Sequence, residues 1–493
     1  MVIGLSKLFG LFRDVALANY FGTSSISDAY IIAFSVPSLL FYFLIHALTT
    51  AYIPIYNQIY VKNGRDFAIR YSNNVVSISL LFSLIIVLCL MLWPEFIIKI
   101  FAAGFDEETI AITSKFIRIA SPSLFFMVFS SAGGSFLNIN KNYLIPGAIG
   151  IPRNIILILS IYFAYVFSID FLGFGILLAF FSEFLLIIPF LYSYSYRPRF
   201  IFDINDKNIK ETMYLVAPLF LGLGITQINK VVDKSIASSI TEGGISALSY
   251  ASVINNAIQE LIVTSAITIL FAECARWVAE KRDDEIRKKV NSIFEIILVL
   301  LIPLSFAVYT NSDLIVRIIF ARGVFDHNSI LLTQECLRFY TIGLVFIALR
   351  DTLIKVFYAY KETKITTRVS IFSIILNIIL NFILSSYIGL SGLALATSIS
   401  IIINFLLLYY LLQKRMGDFG LLNIGKLAIK MIVFSVPMVI LMNQVRSIIE
   451  CNDILTLLIS LLSGFSFICC LLGLTNDKVF NRILSSLSKK VLK

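Results

Sequence analysis

No soluble core can absorb the apolar runs of this chain. Stretches of about twenty or more mostly apolar residues recur from end to end, and twenty residues of helix span the roughly 30 Å hydrocarbon core of a bilayer. They fall near 2–21, 27–55, 73–102, 110–137, 143–166, 170–194, 211–240, 244–273, 290–318, 329–360, 366–386, 390–413, 425–445 and 454–475. Backbone polar groups in lipid must be satisfied within the segment, so runs of this length are read as helices. The expectation is an all-α integral membrane protein with about 14 transmembrane helices. Composition agrees, with 58% of the 493 residues hydrophobic and 14% charged, against roughly 25% charged in soluble domains.

The connecting segments give the orientation. Even-numbered loops and the tail hold 25 Lys and Arg, whereas the odd-numbered loops hold only Arg322 and Arg446. The odd loops are otherwise mainly acidic, as in GFDEET (104–109). A basic bias that alternates in this way places both termini in the cytoplasm. The net charge of +10 is then a topology signal, and no nucleic-acid partner is expected. The longest loops, 195–210 and 274–289, leave no room for an extramembrane domain, so function must lie within the membrane. The first apolar run reads as part of the body rather than as a cleavable leader. Cys89, Cys274, Cys336, Cys451, Cys469 and Cys470 show no CxxC or metal-ligand spacing, so neither a disulfide framework nor a metal cluster is expected. With no nucleophile motif or phosphate loop either, the chain reads as no enzyme.

An internal repeat divides the chain. IIKIFAAGFDEETIAITSKFIRIA (97–120) resembles IVRIIFARGVFDHNSILLTQECLRFY (315–340), and an offset of 220 pairs Phe105 with Phe325, Asp106 with Asp326, Thr113 with Thr333 and Arg118 with Arg338. Lys141 meets Lys361 at the same offset. Duplicated halves are how many transporters are built. The expected division is an N-terminal six-helix lobe at 1–200, a C-terminal six-helix lobe at 201–416, and a helix pair with a basic cytoplasmic tail at 417–493.

Several spans carry charges that lipid penalises, on the order of 3 kcal/mol each by insertion scales. Span 1 holds Lys7, Arg13 and Asp14, and span 2 begins with Asp28. Span 7 holds Lys230, Asp233 and Lys234, and span 10 holds Arg350, Asp351 and Lys355. Lys7 and Asp14 share a helix face, whereas Arg13 and Asp14 point roughly 100° apart and are expected not to neutralise each other. Pairing among these groups, or snorkelling of the lysines, is the structural reading. The functional reading is a hydrated cavity with excess positive charge, which suits a phosphate-bearing substrate because arginine offers phosphate a bidentate fork. His46 reads first as a packed histidine. Asp28 and Asp233 are also candidates to hold a cation or carry a proton.

SKLFGLFRD (6–14) and SDAYIIAFSVPSLL (27–40) resemble the N-terminal signature of the lipid II flippases of the MurJ/MviN type, within the multidrug/oligosaccharidyl-lipid/polysaccharide exporter superfamily. Further matching stretches are AAGF (102–105), FLNINKNYLIPGAIGIPRNIILI (136–158), the segment 320–364, LNIILN (376–381) and GLSGLALATSIS (389–400). The resemblance implies a flippase of the bacterial cytoplasmic (inner) membrane serving peptidoglycan and cell-wall biosynthesis. It would move an undecaprenyl-linked glycan lipid by alternating access, with membrane lipids as its surroundings and a monomer as its unit. The polyprenyl tail would run along spans 13 and 14. The alternatives within the superfamily are a flippase for another surface polysaccharide and a cation-coupled drug exporter.

By the same resemblance, Lys7, Arg13 and Asp28 contribute to the substrate cavity; from the charges within the spans, Asp14 joins them, with Lys230, Arg350 and Asp351 as second-lobe candidates. A sodium site would fall on Asp233, Asn377, Asn381, Thr397 and the backbone near Leu393. No cofactor is implied, and coupling would be to sodium or to the membrane potential. The chain departs from the family where Phe41 and Tyr42 replace an arginine pair, where Val253 replaces another arginine, and where Lys7 replaces a further one. It also begins several residues later than the family's usual start.

Overall fold

The computed structural model describes residues 2–47, 51–262, 273–417, 420–449, 452–477 and 479–482. Among them there are helices and no strands. In chain order the labelled helices are α1 (Val2–Phe21), α2 (Ser25–Ala47), α3 (Ile53–Asn63), α4 (Arg65–Leu92), α5 (Pro94–Phe101), α6 (Glu107–Ala120), α7 (Ser123–Ile139), α8 (Leu144–Ala148), α9 (Gly150–Val166) and α10 (Asp170–Ser193). They continue as α11 (Lys207–Ile240), α12 (Gly244–Ile262), α13 (Asp283–Thr310), α14 (Ser312–Phe320), α15 (His327–Ala359), α16 (Thr363–Ile388), α17 (Ser391–Met416), α18 (Leu421–Ile448) and α19 (Asp453–Leu474).

Length and composition mark nine of the described helical segments as able to cross a membrane, or ten if the bent pair α6–α7 counts as one span. Helices also stand at the other four expected positions, as α1, α11, α12 and α15. Three of these, α1, α11 and α15, carry the intramembrane charges noted above. Among the described residues, each of the fourteen runs thus has a helix in it, while apolar content alone singles out fewer.

Contacts divide the chain into two compact units. The first comprises Met1–Ser246 with Arg322–Asp326. Within it α1 packs on α9, α9 on α10, α10 on α7, and α2 on α6. One end is closed by an aromatic cluster in which the Tyr52 and Tyr71 rings stack at 5.9 Å and the Phe136 and Tyr196 rings lie 4.8 Å apart. The loop after α10 is strapped to α4 by side-chain amides. Asn74 Nδ2 donates to Asp203 O (2.8 Å) and Asn74 Oδ1 accepts from Asp203 N (2.9 Å), while Asn73 brackets Arg197 and Arg199 in the same way (3.3 and 3.2 Å). These amides satisfy backbone groups that no helix serves, which is why a loop of this length needs no domain of its own.

The second unit comprises Ala247–Ala321 and His327–Lys493. Here α13 lies against α15 and α18, α15 against α17, and α18 against α19. Phe294, Leu301, Phe357, Leu408, Met431 and Met438 form a continuous core.

The repeat reappears in the backbone. Left-handed conformations end helices at Lys141 (φ 61°) and Lys361 (φ 61°), at Ser195 (φ 52°) and Gly417 (φ 82°), and at Gly22 (φ 58°) and Gly243 (φ 73°). The first pair shares its closing bonds. Lys141 N donates to Asn138 O (3.0 Å) and Asn142 N to Leu137 O (2.9 Å), as Lys361 N does to Tyr358 O (3.0 Å) and Glu362 N to Phe357 O (2.9 Å). Non-glycine residues seldom adopt this conformation, so two lysines that do so at the repeat offset mark duplicated helix ends. The short-helix-then-long-helix order of α5–α6 recurs as α14–α15.

Candidate functional site

In the first unit, α2 presents two working faces. Asp28, Ser35 and Tyr42 recur every seven residues, two helical turns apart, and so share a face. Each meets a group from the α11 side. Lys234 Nζ donates to Ser35 Oγ, and Lys230 Nζ lies 5.9 Å from the Tyr42 ring centroid. Asp28, fully buried, accepts from the amides of Ser246 (2.7 Å) and Ile245 (3.4 Å). Lysines four apart on α11 thus register with α2 positions seven apart. On α11 itself, Asn229 Nδ2 donates to Asp233 Oδ2 (3.4 Å).

The second face of α2 carries Tyr30 and Phe34. The Arg13 guanidinium sits 5.2 Å from the Phe34 centroid, an arrangement favoured by the ring quadrupole. Phe34 stacks on Phe180 of α10 at 6.0 Å, and Arg153 of α9 approaches Phe180 to 5.8 Å. Arg153 Nη1 donates to Glu183 Oε1 at 2.8 Å. Two arginine–carboxylate pairs therefore flank one aromatic stack.

Arg13 and Asp14 correct the sequence expectation. Arg13 Nε and Nη2 both donate to Asp14 Oδ1, at 3.0 and 2.6 Å. Adjacent Cβ atoms do point apart, but the arginine side chain is long enough to curl around the helix and close the gap. Arg350 and Asp351 of α15 repeat the geometry at 3.0 and 2.7 Å in the second unit. One turn on, Lys355 lies 5.9 Å from the Tyr358 ring. Lys7 is exposed on α1, and Asp14 faces Arg13 instead of Lys7. The His46 side chain lies outside the described ones.

Asp28 also faces a group of carboxylates. With Asp106, Glu108 and Glu242 it lines an acidic pocket of about 360 Å³. Four carboxylates repel phosphate, so the stripe on α2 runs from an acidic end at Asp28 to a cationic end at Tyr42. Beside this pocket the AAGF turn closes on the end of α11. Gly104 N donates to Ser238 Oγ (3.0 Å), and a Cβ at Gly104 would stand 2.4 Å from Ser238 O.

The departures from the family acquire a physical meaning. Phe41 is fully buried in packing. Tyr42 offers its ring to Lys230, so a cation from α11 stands beside this position of α2. Val253 is half-buried on α12. Arg153 and Glu183 escaped the sequence reading, although a lone Arg in IPRNIILI and a lone Glu in FFSEFLL are the same signal that singled out Arg13.

The residues expected to hold sodium fall in both units. In the second, Asn381 Nδ2 donates to Asn377 Oδ1 (3.1 Å), Asn377 Nδ2 to Thr397 Oγ1 (3.5 Å), and Thr397 Oγ1 to Leu393 O (3.0 Å). Asp233 belongs to the first unit. The four grouped residues supply neutral hard oxygens, a donor set that fits an alkali cation. No cluster of three or more His, Cys, Asp or Glu occurs among the described residues.

The all-helical architecture matches solved transporters. An inward-facing MATE multidrug transporter of the MOP superfamily superposes with a TM-score of 0.68 at 15% identity, over 84% of this chain and 95% of that one. The two chains therefore share one all-helical fold. A solved structure titled lipid II flippase MurJ, inward closed conformation, superposes more fully, with a TM-score of 0.82 at 26% identity over 100% of this chain and 99% of that one. The family described as lipid II flippase MurJ matches residues 17–462. A probable lipid II flippase MurJ of Buchnera aphidicola subsp. Schizaphis graminum is 30% identical over 428 residues, covering 85% of this chain and 82% of that protein. Another, of Thermotoga maritima, is 26% identical over 404 residues, covering 82% of each. The chain belongs to the lipid II flippase MurJ family.

Proposed function

We propose that this protein carries lipid II from the inner to the outer leaflet of the bacterial cytoplasmic membrane, as a monomer with both termini in the cytoplasm and without a covalent step. Membership of the family over residues 17–462 carries the reading, and the cation cluster of the first unit supplies its chemistry. Arg13 now spends two donors, Nε and Nη2, on the single oxygen Oδ1 of Asp14, and a pyrophosphate offers that fork paired oxygens instead. Exchanging one anion for the other conserves charge-assisted hydrogen bonds worth roughly 1.5–3 kcal/mol each. Asp14 then acts as a resident counter-ion that holds the fork in place between cargoes. Lys230 and Lys234 add point charges suited to a diphosphate that changes position during alternating access.

Complementation of a flippase-depleted strain tests this. Arg13→Ala should fail to support growth at a normal membrane level of the protein, and Lys7→Ala should weaken it. Full growth with Arg13→Ala would remove the cluster from the mechanism.

The same reading puts a sodium ion among Asn377, Asn381, Thr397 and Leu393 O of the second unit. Asn381→Asp should steepen the sodium dependence of lipid II translocation in vesicles, because it adds a charge to neutral ligands. An unchanged dependence would sink that assignment.

A further inference from the structure

We propose that the second unit binds a monoanionic phospholipid of the outer leaflet, with its phosphodiester at Arg338 and Arg446 and an acyl chain in the adjoining apolar groove. Two cavities of the second unit meet at Phe306 and Tyr309. One, of about 520 Å³, is walled by apolar side chains of α13, α15, α17 and α18, among them Leu298, Val345, Phe405 and Ile432. The other, of about 550 Å³, carries Arg338, Arg446, Asp313, Thr310 and Asn443. Along α18 they reach from Ile424 to Arg446. Twenty-two residues of helix rise about 33 Å, the thickness of a hydrocarbon core. An acyl chain of one leaflet needs only about half of that thickness, so the groove has room for it, and the polar groups gather at one end.

That end lies on the side away from the basic loops. Arg446 was one of only two basic residues in the odd-numbered loops, and it is built in. Its Nη1 donates to Thr310 O at 2.8 Å and its Nη2 to Asp313 Oδ2 at 2.6 Å. Arg317 bridges Asp313 (3.3 Å) and Asp453 (3.6 Å). Arg338 differs: its Nε donates to the Ser312 hydroxyl at 2.9 Å and its guanidinium lies 5.9 Å from the Tyr309 ring, with no carboxylate partner among the described residues. Three arginines against two aspartates leave one positive charge. A phosphodiester carries one negative charge, whereas the pyrophosphate of a lipid-linked glycan carries more. Charge matching therefore selects an ordinary anionic phospholipid such as phosphatidylglycerol over the cargo.

The duplication supports a purpose for the site. Arg118, the repeat equivalent, is exposed on α6 and bonds the Met91 carbonyl (3.3 Å). Arg338 is enclosed because α18, which lies beyond the duplicated part, completes its cavity.

Native mass spectrometry of the purified full chain tests the proposal, with phosphatidylglycerol, phosphatidylcholine and undecaprenyl phosphate offered at equal concentration. Wild type should retain phosphatidylglycerol in preference to the other two. Arg338→Gln should lower that preference by about fivefold or more, Arg338→Lys should keep most of it, and Arg118→Gln should leave it unchanged. Ala428→Phe, which fills the groove, should reduce retention while the arginines remain. Equal retention by wild type and Arg338→Gln would overturn the proposal, as would unchanged retention by Ala428→Phe. Displacement of phosphatidylglycerol by undecaprenyl phosphate would overturn it by assigning the groove to the cargo.

Discussion

Replacing Glu183 with leucine should destabilise the first unit by about 3 kcal/mol, and replacing Arg153 as well should restore most of the loss. Glu183 and Arg153 meet at 2.8 Å, with the carboxylate side chain 4% exposed and the guanidinium 30% exposed. At an effective dielectric of about 20, unit charges at that distance attract by roughly 6 kcal/mol. Removing both from water consumes most of that attraction, so the pair itself contributes little net stability. Breaking it is different, because an arginine cannot shed its charge. Truncating one partner of a buried pair costs roughly 3–5 kcal/mol. The lower figure applies here, since Arg153 keeps some solvent and the face of Phe180. Arg153→Leu should cost less, about 2 kcal/mol, because the stranded carboxylate can take up a proton. The double variant should fall within about 1 kcal/mol of wild type, as apolar replacements of buried pairs often do. Thermal denaturation in detergent of all four proteins completes the cycle. Should the double variant melt below Glu183→Leu, the penalties simply add, and the pairing argument is wrong.

Two further perturbations address packing and charge away from that stack. Gly104→Val would force side-chain atoms into the backbone of Ser238 and Ser239 at the end of α11, where even a Cβ meets Ser239 Cα at 2.3 Å; about 1–3 kcal/mol of overpacking should appear as a lower melting temperature and loss of complementation, and full activity at normal stability would refute the close approach. Asp477, beyond the end of α19, is pushed up by burial but pulled further down by Lys430 Nζ at 2.6 Å and the amides of Phe480 (3.2 Å) and Val479 (2.9 Å), leaving its carboxyl below the usual range. Its stabilising effect is therefore complete above the ordinary carboxylate pKa, about 4, and fades as pH falls through the lower folded value. Asp477→Asn should lower the melting temperature at pH 7 and leave a flatter acid limb than wild type; identical pH profiles would exclude the pair as a contributor.

The fold was legible because each physical constraint pointed the same way. Length of apolar run, alternation of Lys and Arg, and a fixed repeat offset all describe one helical transporter, and the backbone repeats its left-handed caps at Lys141 and Lys361. The strap of residues 197–203 onto α4 was not legible. Asn73 and Asn74 sit in an otherwise ordinary polar patch, and nothing local says that their amides bond a backbone more than a hundred residues away. The bend between α6 and α7, 47° at a break, was likewise hidden inside one apolar run.

The site was legible by residue and misread by geometry. Counting charges in spans found Arg13, Lys230 and Arg350, but helical-wheel angles described Cβ directions and ignored side-chain reach. That is why the Arg13–Asp14 and Arg350–Asp351 neighbours were expected to stay apart and instead pair at 2.6 and 2.7 Å. The reach argument also explains the substitution at Tyr42. An arginine on α2 would bring its charge to this region from α2 itself. With tyrosine there, Lys230 brings charge from α11 and the ring supports it at 5.9 Å. A cation of one helix thus stands beside a ring of another, and an inventory of positions along one helix cannot register that neighbour. The cations of this region come from α1, α9 and α11, and α2 contributes the rings of Phe34 and Tyr42 on which two of them rest.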